Sequence, residues 1–208
     1  MTLLAQVQPG AAPDQRSGEI LDSARRAFVE KGFDGASMQD LARATGMSVG
    51  NFYRYFPSKA AIVAAIVARD LAEVEQDFRA IIESPQPLDA LRAVMRQHIE
   101  GDFCRGDGAL WAEITAAAAR KPEIGTLMET MESEIVGYLT RVFGASFGMP
   151  ANEAARRYGA HARLLMMMFK GSAMRPTATG MPADGLNELI LRTIDRTLKE
   201  ISDDHAKG

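Results

Sequence analysis

Ser37-Met38-Gln39-Asp40-Leu41-Ala42-Arg43-Ala44-Thr45-Gly46-Met47-Ser48-Val49-Gly50-Asn51-Phe52-Tyr53-Arg54-Tyr55-Phe56-Pro57-Ser58-Lys59 is the stretch that decides the fold. Met38 to Thr45 and Val49 to Phe56 each carry a short amphipathic helical pattern, broken by Thr45-Gly46-Met47-Ser48. Ser37 stands where a side-chain oxygen caps the first helix, and Asp40 three residues on completes a capping-box-like pair. Gly46 permits a tight reversal, and Ser48 caps the second helix. Pro57 ends that helix, because proline disfavours helical backbone at the preceding Phe56, and Ser58 caps a further helix beginning at Lys59. The spacing predicts a helix-turn-helix followed at once by a long helix.

Working outward, Ile20, Leu21, Ala24, Ala27 and Phe28 recur on one face of a helix over residues 15–31, which Gly32 stops before the apolar plug Phe33. Residues 1–14 are rich in Gln, Pro, Gly and Ala without a period and are expected to form a disordered arm. The helix from Lys59 continues through Ile62, Ile66 and Leu71 to about Ile82, and Ser84-Pro85-Gln86-Pro87 is the clearest linker. Beyond it the pattern is helical throughout: Leu88 to Phe103, Ala109 to Ala119, Glu123 to Phe143 closed by Gly144, Asn152 to Phe169, and Asp184 to Ile201 after a Gly-, Pro- and Thr-containing loop. The expected class is all-α, with an N-terminal three-helix unit over residues 15–60 joined to a helical domain over residues 61–208.

Composition bounds the function. Hydrophobic residues make up 47% and charged residues 25%, as in ordinary soluble domains. The single Cys104 excludes an internal disulfide framework and a multi-cysteine zinc site, and it fits a reducing cytoplasm. Met1 to Gly10 lacks the basic and apolar regions of a signal peptide, and no apolar run has the roughly 20 residues a membrane span needs, so no membrane association is expected. Net charge is -3, but residues 1–60 carry seven basic and six acidic side chains while the remainder carries 17 and 21. That asymmetry is small and has the sign expected of an N-terminal nucleic-acid reader.

Ser37 to Lys59, together with the preceding Ala27-Phe28-Val29-Glu30-Lys31-Gly32-Phe33, closely resembles the N-terminal signature of the tetracycline-repressor (TetR) family over roughly residues 16 to 70. Asn51 stands where many members have Thr, and Tyr55 where His is common. Both keep a polar group, which leaves DNA binding intact as a class and alters the expected operator. The resemblance implies a dimeric transcriptional regulator, usually a repressor, whose C-terminal helical domain dimerises and binds a small molecule that releases a palindromic double-stranded operator.

A helix fits the major groove and presents its N-terminal residues to base edges. Ser48, Val49, Gly50 and Asn51, with Arg54 one turn on, occupy those positions. Gly50 lets backbone approach, Asn51 offers the paired donor and acceptor that suit adenine, and Arg54 suits guanine or a phosphate. Tyr53, Tyr55 and Lys59 are expected on the phosphate backbone, with Ser37 and Gln39 as a second clamp. Phe52 and Phe56 are expected in the core on the face of Val49. One short reading helix gives too few base contacts, so a two-fold dimer reading half-sites roughly 34 Å apart is expected, built by the last two long helices.

For a largely hydrophobic effector the candidates are Phe103, Trp111, Ile114, Met128, Met131, Tyr138, Met166, Met167 and Met174, since methionine and aromatic side chains adapt to irregular apolar shapes. The competing reading is ordinary helical core. Glu113 suits a cationic ligand or a plain surface position. His98 and Asp102 share a helical face, but with His161 they form no metal or catalytic pattern, and no nucleophile elbow, phosphate loop or zinc motif occurs. No cofactor, metal or enzymatic activity is expected. The alternatives are an activator or protein-controlled regulator without an effector, and a small-molecule binder or enzyme with a vestigial reading motif.

Overall fold

The computed structural model describes residues 15–101, 108–174 and 185–207. The expected arm, Asp102, Phe103 and the loop from residue 175 lie outside these described residues. Every regular element among them is a helix: α1 (Gln15–Lys31), α2 (Met38–Ala44), α3 (Val49–Tyr55), α4 (Lys59–Glu83), α5 (Pro87–Glu100), α6 (Gly108–Ala118), α7 (Pro122–Phe147), α8 (Ala151–Ala173) and α9 (Leu186–His205). Packing divides the chain into two units. The first comprises the chain up to Ala72 together with Ala109–Met131, and the second Glu73–Gly108 together with Glu132–Gly208.

In the first unit, Ile20, Ala24 and Phe28 of α1, Leu41 of α2, Phe52 of α3 and Ile62 and Ile66 of α4 are buried in one cluster. Leu110 and Ile114 of α6 and Ile124, Leu127 and Met128 of α7 complete it. Each of the Leu, Ile, Phe and Met side chains removed from water contributes on the order of 1.5–3 kcal/mol, so α6, through Leu110 and Ile114, is a structural member of the unit that holds the helix-turn-helix. Ion pairs join α1 to α4: Arg25 to Asp70, and Arg69 to Asp22 at 2.6 Å.

The second unit is a helical cluster of α5 (Leu91, Met95, Ile99), α7 (Leu139, Val142, Phe143), α8 (Tyr158, Ala162, Leu165) and α9 (Leu191, Ile194, Leu198, Ile201). The spacing of these residues on α9 is that of one helical stripe. Pro87 opens α5 in its first turn, where a missing N–H costs nothing.

Gly144 does not close α7 as the sequence suggested; the helix runs on to Phe147. A Cβ at Gly144 would stand 2.9 Å from the Met149 carbonyl oxygen, so this glycine serves the close return of the chain, and Gly148, at φ 63°, makes the stop. α8 extends to Ala173 and α9 to His205, each about a turn past the sequence boundary.

Candidate nucleic-acid interface

Local chemistry builds the reading motif. Ser37 accepts the Asp40 amide hydrogen at 3.1 Å while the Asp40 carboxylate accepts the Ser37 N–H at 3.1 Å, a complete capping box. Lys31 pairs with the same carboxylate at 2.7 Å; this cation, then Ser37, holds the Asp40 carboxyl well below the usual carboxylate range. The end of α2 is closed by the Met47 N–H to the Ala42 carbonyl and the Gly46 N–H to the Arg43 carbonyl, both at 3.1 Å. Gly46 supplies the left-handed residue, at φ 67°, and Ser48 accepts the Asn51 N–H at 3.4 Å to start α3.

Phe52 is fully buried and Phe56 nearly so, their ring centroids 5.7 Å apart, which fixes α3 against the core by one face. The opposite face stands in solvent. Val49, Tyr53 and Tyr55 are 40–48% exposed, so Val49 lies off the Phe52 face on which the sequence put it. Ser37, Gln39, Ser48, Gly50 and Arg54 are exposed, and Asn51 half-exposed. A Cβ at Gly50 would meet nothing within 4 Å, so the backbone there is open to an approaching surface. Asp40 is the one acid between Ser37 and Lys59, against Arg43, Arg54 and Lys59, and its charge is already paired. An anionic partner therefore meets a locally positive face although the whole chain is acidic.

Lys59 is more committed than the sequence suggested. Its ammonium donates to the carbonyl oxygens of Phe33 at 2.6 Å and Asp34 at 3.1 Å. It also lies 4.9 Å from the centroid of the Phe33 ring. Burial pulls its pKa below the ordinary lysine value, opposed by the Asp34 charge. Two of the three ammonium donors thus fasten the α1–α2 connection.

The candidate effector residues fall into both packing units. Ile114 and Met128 are buried in the core of the first, with Trp111 and Met131 packed against it. Tyr138 belongs to the second unit, stacked on Phe78 at 5.4 Å with the Arg141 guanidinium 4.5 Å from its ring. Met166 packs against the second core and Met174 is half-buried at the end of α8. Met167 is 70% exposed: at this helical phase its side chain leaves the core. Two open grooves among the described residues of the second unit are not lined by these residues. One, of roughly 430 Å³, runs between α4 and α5 along Ala80, Ile81, Ala90 and Val94, with Asp77, Gln97 and His98 at its sides.

Among the described residues no group of three or more His, Cys, Asp or Glu side chains is placed to hold a metal ion, and no helix is long and apolar enough to cross a membrane. The His98 ring packs on Phe169 at 4.8 Å, and His161 stands 3.8 Å from Glu200. Glu113, Arg120 and Lys121, which converge on the α1–α2 connection, carry no local signal that reveals this partnership.

Residues 20–66 match the family described as bacterial regulatory proteins, tetR family. The chain is 28% identical over 139 residues to the HTH-type transcriptional regulator UidR of Escherichia coli (strain K12), covering 67% of this chain and 69% of that protein. Its fold is similar to Salmonella enterica GusR with a TM-score of 0.70 at 25% identity, over 92% of this chain and all of that one. It is similar in fold to AibR, solved in complex with isovaleryl coenzyme A and operator DNA, with a TM-score of 0.61 at 20% identity over 86% and 96% of the two chains.

Proposed function

We propose, from the match of residues 20–66 to the tetR family of bacterial regulatory proteins and the similarity to transcriptional regulators, that this chain is a homodimeric repressor that reads a palindromic operator through α3 and is released by a small, largely hydrophobic molecule. The observation that carries the operator reading is the division of α3: Phe52 is locked into the core while Val49, Gly50, Tyr53, Arg54 and Tyr55 face solvent around the half-exposed Asn51. In this reading Asn51 addresses a base edge, Arg54 a guanine or phosphate, and Tyr53, Tyr55, Ser37 and Gln39 the backbone of the duplex. Lys59 uses its remaining N–H on a phosphate while its other two hold the α1–α2 connection.

The dimer reading is supported by Leu164 and Met167 on α8 and Leu186 and Leu189 on α9, large apolar side chains 43–70% exposed in the single chain. Pairs three residues apart on two adjacent helices suit a four-helix contact with a second copy. The effector reading is supported by the methionine-rich run Met166-Met167-Met168 of α8, of which Met166 and Met168 pack on the second core.

The test is binding of a duplex enriched from a random-sequence pool, followed by anisotropy as salt is raised. A repressor of this kind loses affinity steeply with salt, sediments as a dimer, and enriches a sequence with two-fold symmetry. Enrichment of no sequence, or salt-independent binding, refutes the operator reading.

A further inference from the structure

The connection from Gly32 to Ser37 leads straight into the cap of α2, and it is held from a distant part of the chain within the same packing unit. Gly32 leaves α1 at φ 73°, which aims the Phe33 N–H at the Glu113 carboxylate of α6, and that oxygen accepts it at 3.0 Å. The same oxygen lies 3.2 Å from where a Cβ of residue 32 would stand, so the glycine also makes room for the carboxylate. The buried Phe33 ring stacks on Phe28 at 5.4 Å, with the Lys121 ammonium 5.8 Å from its centroid. Asp34 is gripped by Arg120 at 2.8 Å and Lys121 at 3.1 Å, both just beyond α6.

These bonds are poorly explained by stability alone. Asp34 and Arg120 are both more than half exposed, and ion pairs in solvent contribute little to folding. What they do fix is direction: a carboxylate on one N–H and two cations on the neighbouring side chain leave the Phe33–Asp34 link little freedom to turn. Three residues later Ser37 sets the start of α2, and the turn at Gly46 passes that placement to α3.

We propose that Glu113, Arg120 and Lys121 are positioning residues for operator recognition: from α6 and the turn after it they hold the α1–α2 connection, and so set the placement of α2 and α3 on the duplex. The proposal rests on the operator reading above. None of the three touches DNA; they act through Phe33, Asp34 and the Ser37 cap.

The experiment uses the full chain and a fluorescein-labelled duplex enriched by the wild-type protein from a random-sequence pool, with amide hydrogen exchange of the free protein as a second readout. Glu113→Leu removes the acceptor; Glu113→Gln keeps an oxygen there. Glu113→Leu should speed exchange selectively over residues 33–41 and weaken operator binding about tenfold, with the salt slope unchanged, and Glu113→Gln should restore most of both. Arg120→Ala with Lys121→Ala should act in the same direction with little change in thermal midpoint.

Wild-type affinity in Glu113→Leu, or exchange quickened evenly across residues 15–72, would overturn the proposal. So would a salt slope that falls by about one per cation removed, since that marks direct phosphate contact. If the wild-type chain enriches no duplex, the operator reading fails and the positioning role with it, whereas a specific duplex bound normally by Glu113→Leu removes the positioning role alone.

Discussion

The ammonium of Lys59 donates to the carbonyl oxygen of Phe33 at 2.6 Å and lies 4.9 Å from the centroid of the same residue's ring, so one side chain satisfies a backbone acceptor and covers an aromatic face. This joins the first turn of α4 to the exit of α1 across 26 residues of sequence. Lys59→Met keeps much of the apolar stem and removes the donors. It should lower unfolding free energy by about 1.5–3 kcal/mol, the range for hydrogen bonds involving a charged group, and weaken binding to all duplexes alike. Urea denaturation and anisotropy on specific and random duplexes check the two parts.

Asn51 and Tyr53 should separate base reading from backbone contact. Asn51→Ala should relax preference at one base pair per half-site, costing about 1–3 kcal/mol on the preferred sequence and little on others. Tyr53→Phe removes a hydroxyl from an exposed ring and should weaken binding uniformly. Repeating the random-pool enrichment with each variant shows whether the sequence preference or only the affinity has moved.

Phe52 anchors the reading helix by a ring that solvent does not reach. Phe52→Ala should destabilise the chain by about 3–5 kcal/mol, the range for emptying a buried aromatic site. DNA binding should then fall with the folded fraction, read by thermal denaturation beside anisotropy.

The Asp34 carboxyl is held below its ordinary value of 3.8 by hydrogen bonds first from Arg120 and then from Lys121, against a smaller opposing effect of burial. Its pKa is lower folded than unfolded, so the linked stabilisation is fully present above the unfolded value and disappears as pH falls through the folded one. Asp204, held down by Arg157, and Asp40, held down by Lys31, act with the same sign. Urea midpoints measured from neutral pH downward should therefore decline through the carboxylate range, and Asp34→Asn should flatten that decline only slightly, because Asp34 and Arg120 both stand more than half in solvent.

Met167 offers the cleanest test of assembly, being 70% exposed on α8. Met167→Glu should leave the fold of the chain intact, since no core contact is lost, and convert the sedimenting species from dimer to monomer. Operator affinity should fall steeply with it, because two linked half-site contacts become independent ones.

The sequence alone determined the reading motif because its signals are local. Ser37 with Asp40, Gly46, Ser48 and Pro57 each act over at most three or four residues, through a cap, a left-handed turn or a lost helical conformation, and each stands in the structure where its chemistry requires. The all-α class and the existence of the later helices followed equally from periodicity. Tertiary structure alone decided which partner each helix has. Trp111, Ile114, Met128 and Met131 read as effector candidates in a separate C-terminal domain, yet they pack in the unit of the helix-turn-helix. Gly144 read as a helix stop and proved to be a point of close chain return. Glu113 meets the Phe33 N–H from 80 positions away, and Arg120 meets Asp34 from 86. Nothing in the spacing of a carboxylate on a helix encodes the distant amide it will accept from; that is fixed only when buried surfaces bring the two segments together, which is why the motif was legible in the residues and its support was not.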